Sequence, residues 1–179
     1  MKVKTFLPYA SSTGNTTDQL YDLGVLEDQL YLFYRSGLLI CYNLKSHQEI
    51  YRQKLPDELP KGKYENTSYV VPGNNTFYQL RNGSQGGVML NYDITRKKWN
   101  IVFQTDYRLN SLSIDKDSSI WVSCYMGLWN IDAGLINKQY IPNLKLVDGR
   151  TINTEVSTLY NDNQGGMWLG TLDRGILYY

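Results

Sequence analysis

Four segments of this chain align on one template at intervals near 46 residues, and a repeat of that period constrains the fold more tightly than composition does. The first runs from Val25 to Asn43, the second from Val71 to Asp93, the third from Ile114 to Asp132 and the fourth from Asn161 to Tyr179. An aromatic anchor marks each one, at Tyr31, Phe77, Trp121 and Trp168, with spacings of 46, 44 and 47. Within each segment a short apolar run ends in a turn rich in Asp, Asn or Gly, residues that tolerate the backbone angles of tight hairpins. An aromatic-led run follows, then a Gly, then a third run closing on Tyr-Asn, Tyr-Asp or Ile-Asp. A polar turn leads to a fourth run at Glu49–Gln53, Trp99–Gln104 and Gln139–Ile141.

Four short antiparallel strands per repeat make the blade of a β-propeller. Runs such as Leu30–Tyr34 lack polar alternation, as expected of strands buried on both faces by neighbouring blades. The chain is therefore expected to be all-β, a single domain over residues 1–179, with blades at 20–55, 66–104, 109–142 and 155–179. It would be either a small closed ring or a segment of a larger propeller. The four anchors are expected at equivalent, mostly buried positions. The fourth repeat lacks an outer strand, and Val3–Tyr9 stands where a preceding blade's outer strand would be. Residues 1–9 are therefore expected to pair with the Gly175–Tyr179 strand, within one chain or between two, because an unpaired edge there would invite aggregation.

Composition agrees with this reading and removes some partners. Aromatic residues make up 13% of the chain and alanine occurs only at Ala10 and Ala133, which favours pleated strands over long helices. The net charge of +1 supplies no overall field for nucleic acid, and no apolar run is long enough to span a membrane as a helix. The opening residues lack the apolar core of a signal peptide. Cys41 and Cys124 are 83 residues apart, and two buried thiols are favoured over a disulfide.

The fourth repeat, Val156-Ser157-Thr158-Leu159-Tyr160-Asn161-Asp162-Asn163-Gln164-Gly165-Gly166-Met167-Trp168-Leu169-Gly170-Thr171 with Gly175-Ile176, resembles the two-component regulator propeller repeat. The third matches more loosely: Leu112, Asp115, Trp121 and Gly127 fit, but Ser123-Cys124 replaces the Gly-Thr pair. The first two keep the spacing only. The resemblance implies the periplasmic sensor region of bacterial hybrid histidine kinases, many of which sense oligosaccharides. The kinase, the receiver and the immunoglobulin-like domain that usually accompany such repeats are not in this sequence.

Catalytic and metal chemistry finds little support in the residues. His47 is the only histidine, set in a polar turn, so no histidine-based metal cluster or catalytic dyad is available. Asp115-Lys116-Asp117 and Asp162-Asn163 read as turn caps rather than calcium loops. Trp121 and Trp168 read as packing anchors rather than sugar platforms. Neither a catalytic residue nor a cofactor is assigned.

Placing charges on the inferred blade suggests one binding face. Five of seven arginines fall at one end: Arg35, Arg81 and Arg174 in loops between second and third strands, Arg108 and Arg150 in loops between blades. Lys45, Lys97, Lys98, Lys116 and Lys138 fall at the other. Arg carries a planar donor fork suited to carboxylate or sulfate, and Tyr34 and Tyr125 sit beside these loops. Arg35, Arg81, Arg174, Tyr34, Tyr125, Arg108 and Arg150 are thus candidate ligand residues for a sugar acid. The competing explanation is that solvated arginines pair with Asp106, Asp148 and Asp173. The expected function is a non-catalytic ligand-sensing or scaffold module. A docking or dimerisation module is the alternative, and a propeller hydrolase or lyase a weaker one.

Overall fold

The computed structural model describes residues 18–60 and 62–179. Every regular element in them is a strand, and the strands group into four antiparallel blades. Blade one holds β1 (Leu20–Leu26), β2 (Gln29–Tyr34), β3 (Leu39–Asn43) and β4 (Glu49–Gln53). Blade two holds β5 (Asn66–Gly73), β6 (Thr76–Gly83), β7 (Gly86–Asp93) and β8 (Lys98–Thr105). Blade three holds β9 (Leu109–Ile114), β10 (Ile120–Cys124), β11 (Gly127–Ile131) and β12 (Lys138–Ile141). A short hairpin of β13 (Leu144–Lys145) and β14 (Thr151–Ile152) leads to blade four, which has three strands: β15 (Val156–Asn161), β16 (Met167–Thr171) and β17 (Ile176–Tyr178).

Within each blade the strands follow chain order, each pairing with the next. The first strands of successive blades contact one another, β1 with β5, β5 with β9 and β9 with β15, so they line the inner side of an arc. The expected closing strand at residues 1–9 lies outside the described residues. Among those described, no sheet pairs a strand of blade one with one of blade four, and the sheets form an open propeller segment.

The period-two geometry of a strand explains the core. On β7, Val88, Leu90 and Tyr92 face blade one, while Met89 faces blade three, so an unbroken apolar run is buried from both sides. Tyr31, Phe33 and Cys41 meet Phe77, Leu90, Tyr92 and Trp99 between blades one and two. Leu80, Met89 and Phe103 meet Leu109, Ile120, Val122 and Cys124 between two and three. Trp121 and Leu128 meet Val156, Leu159, Met167 and Leu169 between three and four. The cysteines are free thiols in two different interfaces.

A glycine recurs at or just before each third strand in the left-handed region: Gly37 (φ 94°), Gly86 (101°), Gly127 (87°) and Gly175 (73°). This shared backbone requirement is the common mark of the four repeats, even where their side chains diverge.

The aromatic anchors depart from expectation. Tyr31 and Trp121 face the following blade, and Trp168 occupies the matching position in blade four, but Phe77 faces the preceding blade and packs against Tyr31, the tilted rings 4.8 Å apart. Tyr31 is the third residue of β2, and the third residue of β6 is Tyr78, which packs toward blade three. An offset of one residue moves a side chain to the other face of a sheet. Nor are all four buried: Tyr31 and Phe77 are enclosed, Trp121 is half-buried and Trp168 is 43% exposed. Among the described residues nothing forms a fifth blade against Trp168.

Candidate functional site

A cleft of about 820 Å³ lies between blades one and two. Its walls come from the turn between β2 and β3 (Ser36, Gly37, Leu38), from the connection between the two blades (chiefly Lys54–Asp57, Leu59, Tyr64 and Glu65) and from Asp18. Two buried side chains, Leu59 and Tyr64, hold that connection against the core. Such a segment can carry charge at the surface because apolar residues anchor it beneath.

Arg81 lies at the base of the cleft. It is in β6 rather than in a loop, on the face turned to blade one, and only 1% exposed. Its Nε donates to the carbonyl of Tyr64 at 2.9 Å and its Nη1 to Thr67 Oγ1 at 2.6 Å. Nη2 donates to the carbonyls of Glu65 at 2.8 Å and Arg35 at 3.1 Å. None of the ion pairs among the described residues includes Arg81. Burial pulls its pKa down to about 10, partly offset by the Asp18 carboxylate. The guanidinium fork is therefore spent on three main-chain carbonyls and the Thr67 hydroxyl, and ties the connection to two blades.

The rest of the cleft is chemically mixed. The Asp18 carboxylate accepts from the Ser36 amide at 3.1 Å and from Ser36 Oγ at 2.6 Å. Lys54, Asp57 and Glu65 stand on the rim above apolar patches of Leu38, Leu55 and Pro56. Such a surface offers acceptors and one cationic donor beside apolar carbon, which suits a polyhydroxylated ligand better than a strongly anionic one.

The sequence-predicted site residues have several different fates. Arg81 is a structural clamp and Tyr34 is buried at 2% exposure, so neither meets solvent as expected. Arg174 pairs with Asp173 at 3.3 Å and Arg150 with Asp148 at 2.7 Å, the neighbours considered as their alternative partners. Arg35 donates through Nε to Asn66 Oδ1 at 3.0 Å. Arg108 is exposed and lines a smaller hollow of about 260 Å³ with Glu65, Asn66, Asn82 and Ser84. Tyr125 is 56% exposed, and its amide donates to the carbonyl of Arg108 at 3.1 Å. The structure thus gathers Arg35, Asn66, Glu65 and Arg108 beside the cleft, buries Arg81 at its base and pairs Arg150 and Arg174 with neighbouring carboxylates. Sequence reasoning missed Asp18, Lys54, Asp57 and Glu65. The long, Pro-containing, charged connection at 54–65 was the signal that pointed to three of them.

The turn carboxylates act as caps. Asp162 accepts from the amides of Gly166 (2.9 Å) and Gln164 (2.8 Å) and from Trp168 Nε1 (3.2 Å), and these bonds hold its pKa below the usual carboxylate range. Asp117 is lowered in the same way by the Ser119 side chain and amide. Among the described residues no three His, Cys, Asp or Glu side chains stand close enough to hold a metal ion.

Residues 152–173 match the two-component regulator propeller family. The extracellular domain of the putative one-component system BT4673 from B. thetaiotaomicron superposes with a TM-score of 0.69 at 16% identity, covering 95% of this chain and 22% of that one. PorZ, a surface component of the type-IX secretion system of Porphyromonas gingivalis, superposes at 0.65 with 11% identity over 89% of this chain and 25% of that one. The computationally designed Ika4 protein superposes at 0.63 with 13% identity over 94% of both chains. No curated protein matches the chain. It spans about a fifth of the length of the BT4673 domain, and at these identities the likeness concerns the fold. The chain folds as a β-propeller segment, and residues 152–173, which reach from the β13–β14 hairpin into the fourth blade, are similar to the two-component regulator propeller family.

Proposed function

We propose that this chain is a non-catalytic sensing or scaffold segment of a bacterial two-component sensor, working outside the cytoplasm, and that the cleft between blades one and two receives an oligosaccharide. The observation that carries the reading is the fourth-blade match to the regulator propeller family together with a cleft whose carboxylates are placed for holding hydroxyls. Asp57, Glu65 and Lys54 offer acceptors and a donor at the rim, Leu38 and Leu55 offer apolar carbon to a sugar face, and Arg81 keeps the walls in register from beneath. Sensing needs such a surface to change shape or stability on occupancy, and the two walls belong to different blades.

Thermal-shift screening of neutral and acidic oligosaccharides tests this. A binder should raise the melting temperature in proportion to the logarithm of its concentration above Kd. The double variant Lys54→Ala, Glu65→Ala should remove the shift while keeping the unliganded melting temperature. Binding that survives this variant but fails in Arg108→Ala would move the site to the neighbouring hollow. Absence of any shift across the panel would reject the ligand-binding reading and favour a docking module, a role also favoured by the exposed aromatic face of Tyr160, Trp168 and Tyr178. Turnover of any sugar in the panel would overturn the non-catalytic assignment.

A further inference from the structure

Blade two carries carboxamides where blade one carries core. Cross-strand pairing sets Tyr31, Cys41 and Tyr51 in a row on blade one, and Tyr78, Asn91 and Asn100 in the corresponding row on blade two. The first row packs against the next blade. In the second, Tyr78 packs toward blade three, but Asn91 is only half-buried and Asn100 is exposed. Beside them lies a hollow of about 430 Å³, at the end of the blade opposite the cleft already described. Its walls are Asn74 and Asn75 of the β5–β6 turn, Thr76 and Tyr78 of β6, Asn91 of β7, and the β7–β8 turn. Blade two has all four strands and a blade on either side.

The polar groups of this hollow are fixed in advance. Asn100 Nδ2 donates to Asn91 Oδ1 at 3.1 Å, Asn91 Nδ2 to Thr76 Oγ1 at 2.5 Å, and Thr76 Oγ1 to the Tyr92 carbonyl at 2.8 Å. The chain ends on the main chain, so every member has one orientation. Asn75 Nδ2 donates to Thr95 Oγ1 at 2.5 Å, and the Ile94 amide to the Asn75 carbonyl at 3.4 Å, which ties the two turns together. The Tyr78 ring lies against Gly73, where a Cβ would come within 2.7 Å of it. The two ionic residues of the lining, Asp93 and Arg96, pair with each other at 3.0 Å. Among the described residues no hydrogen bond uses the Asn74 carboxamide, Asn75 Oδ1 or the Tyr78 hydroxyl. Burial raises the Tyr78 phenol above its ordinary pKa, so it stays a neutral donor.

We propose that this hollow binds a neutral sugar, whose hydroxyls are held by the Asn74 carboxamide, Asn75 Oδ1 and the Tyr78 hydroxyl. A sugar hydroxyl donates and accepts at once, and a carboxamide answers with one atom of each kind. An anionic ligand would find Arg96 already engaged, and an apolar one would leave the amides unpaired. Groups already oriented lose little freedom on binding. The site shares no residue with the cleft between blades one and two and stands independently of it.

Titration of the isotope-labelled whole chain with maltotriose, xylotriose and mannotriose, followed through its side-chain carboxamide NMR signals, tests this. At least one trisaccharide should shift the Asn74 and Asn75 signals saturably. Its Kd should change by less than about twofold between low and high salt, because no ion pair forms. Tyr78→Phe keeps the ring, removes the hydroxyl and should weaken binding by about tenfold. Asn91→Ala breaks the oriented chain and should also weaken it. Asn130→Ala removes the carboxamide opposite Trp121 in blade three and should leave binding unchanged, as should the double variant Lys54→Ala, Glu65→Ala. Three results would overturn the proposal: no shift at Asn74 and Asn75 with any of the three sugars, an unchanged Kd in Tyr78→Phe, or loss of binding in the double variant. The last would seat the sugar in the cleft between blades one and two. Shifts at Asn74 and Asn75 that persist in the double variant uphold this site even if the cleft binds nothing.

Discussion

Arg81 Nη2 donates to the main-chain carbonyl of Arg35 at 3.1 Å, joining β6 of one blade to the β2–β3 turn of its neighbour, 46 residues away in sequence. The same guanidinium holds the carbonyls of Tyr64 and Glu65, so a single buried side chain ties together three separate segments. Arg81→Ala would strand these acceptors and open a cavity, and should cost about 2–4 kcal/mol. Arg81→Lys should recover little of the loss, because an ammonium cannot copy the planar fork. Urea denaturation measures both. A loss within 0.5 kcal/mol of zero for the alanine variant (on the order expected for surface sites) would remove Arg81 from the framework.

The third-strand glycines make a graded prediction. Alanine at Gly86 or Gly127 meets both a left-handed backbone and a carbonyl at 2.1 Å, and should cost about 2–4 kcal/mol. Alanine at Gly175 meets only the backbone penalty, about 1 kcal/mol, because the space beside it is open. Melting temperatures of the three variants should therefore rank Gly175→Ala well above the other two.

Alkaline unfolding should begin near the ordinary phenol pKa. Burial pushes Tyr31 and Tyr92 up to about 12 and raises Tyr51 further, with Tyr92 beside it adding to the rise. Such groups bind protons more tightly folded than unfolded, so their stabilising contribution is complete below pH 10 and is lost as pH climbs from 10 toward 12. Arg81 works in the opposite sense, since its lowered pKa favours the folded state as pH rises above 10. The tyrosines outnumber it, and the net slope of stability should be downward. Replacing Tyr51 by Phe should flatten that slope in pH-dependent denaturation.

An acid transition should appear locally at the fourth repeat. Asp162 titrates below its unfolded value because its oxygens accept from Gly166, Gln164 and Trp168, so its stabilising role is present above pH 4 and is lost as pH falls through the lowered folded value. Trp168 fluorescence should report the event, and Asp162→Asn should remove the transition while largely preserving the turn. A transition that persists in Asp162→Asn would place its origin elsewhere.

Whatever depends on short-range geometry can be read from the residues alone. The repeat period, the hairpin turns around Asp115 and Asp162, the left-handed glycines and the strand character of each run follow from residues close together in the chain, because turn angles and ladder hydrogen bonds are local requirements. The likeness to the regulator propeller family was most legible in the fourth repeat, where Asp162, Gly165, Trp168 and Gly170-Thr171 all occur together, and more loosely in the third. Contacts between residues a whole repeat apart emerge only when the blades pack. Phe77 reads as the anchor of blade two because aromatic identity is visible in a sequence, whereas the face a residue takes depends on its count from the turn. Arg81 looked like a solvent-facing loop arginine, and only the approach of the 64–66 segment and the Arg35 turn encloses it. Trp168 sits in the register of a core residue yet remains exposed, because burial of a blade face requires a neighbouring blade as well as an apolar side chain.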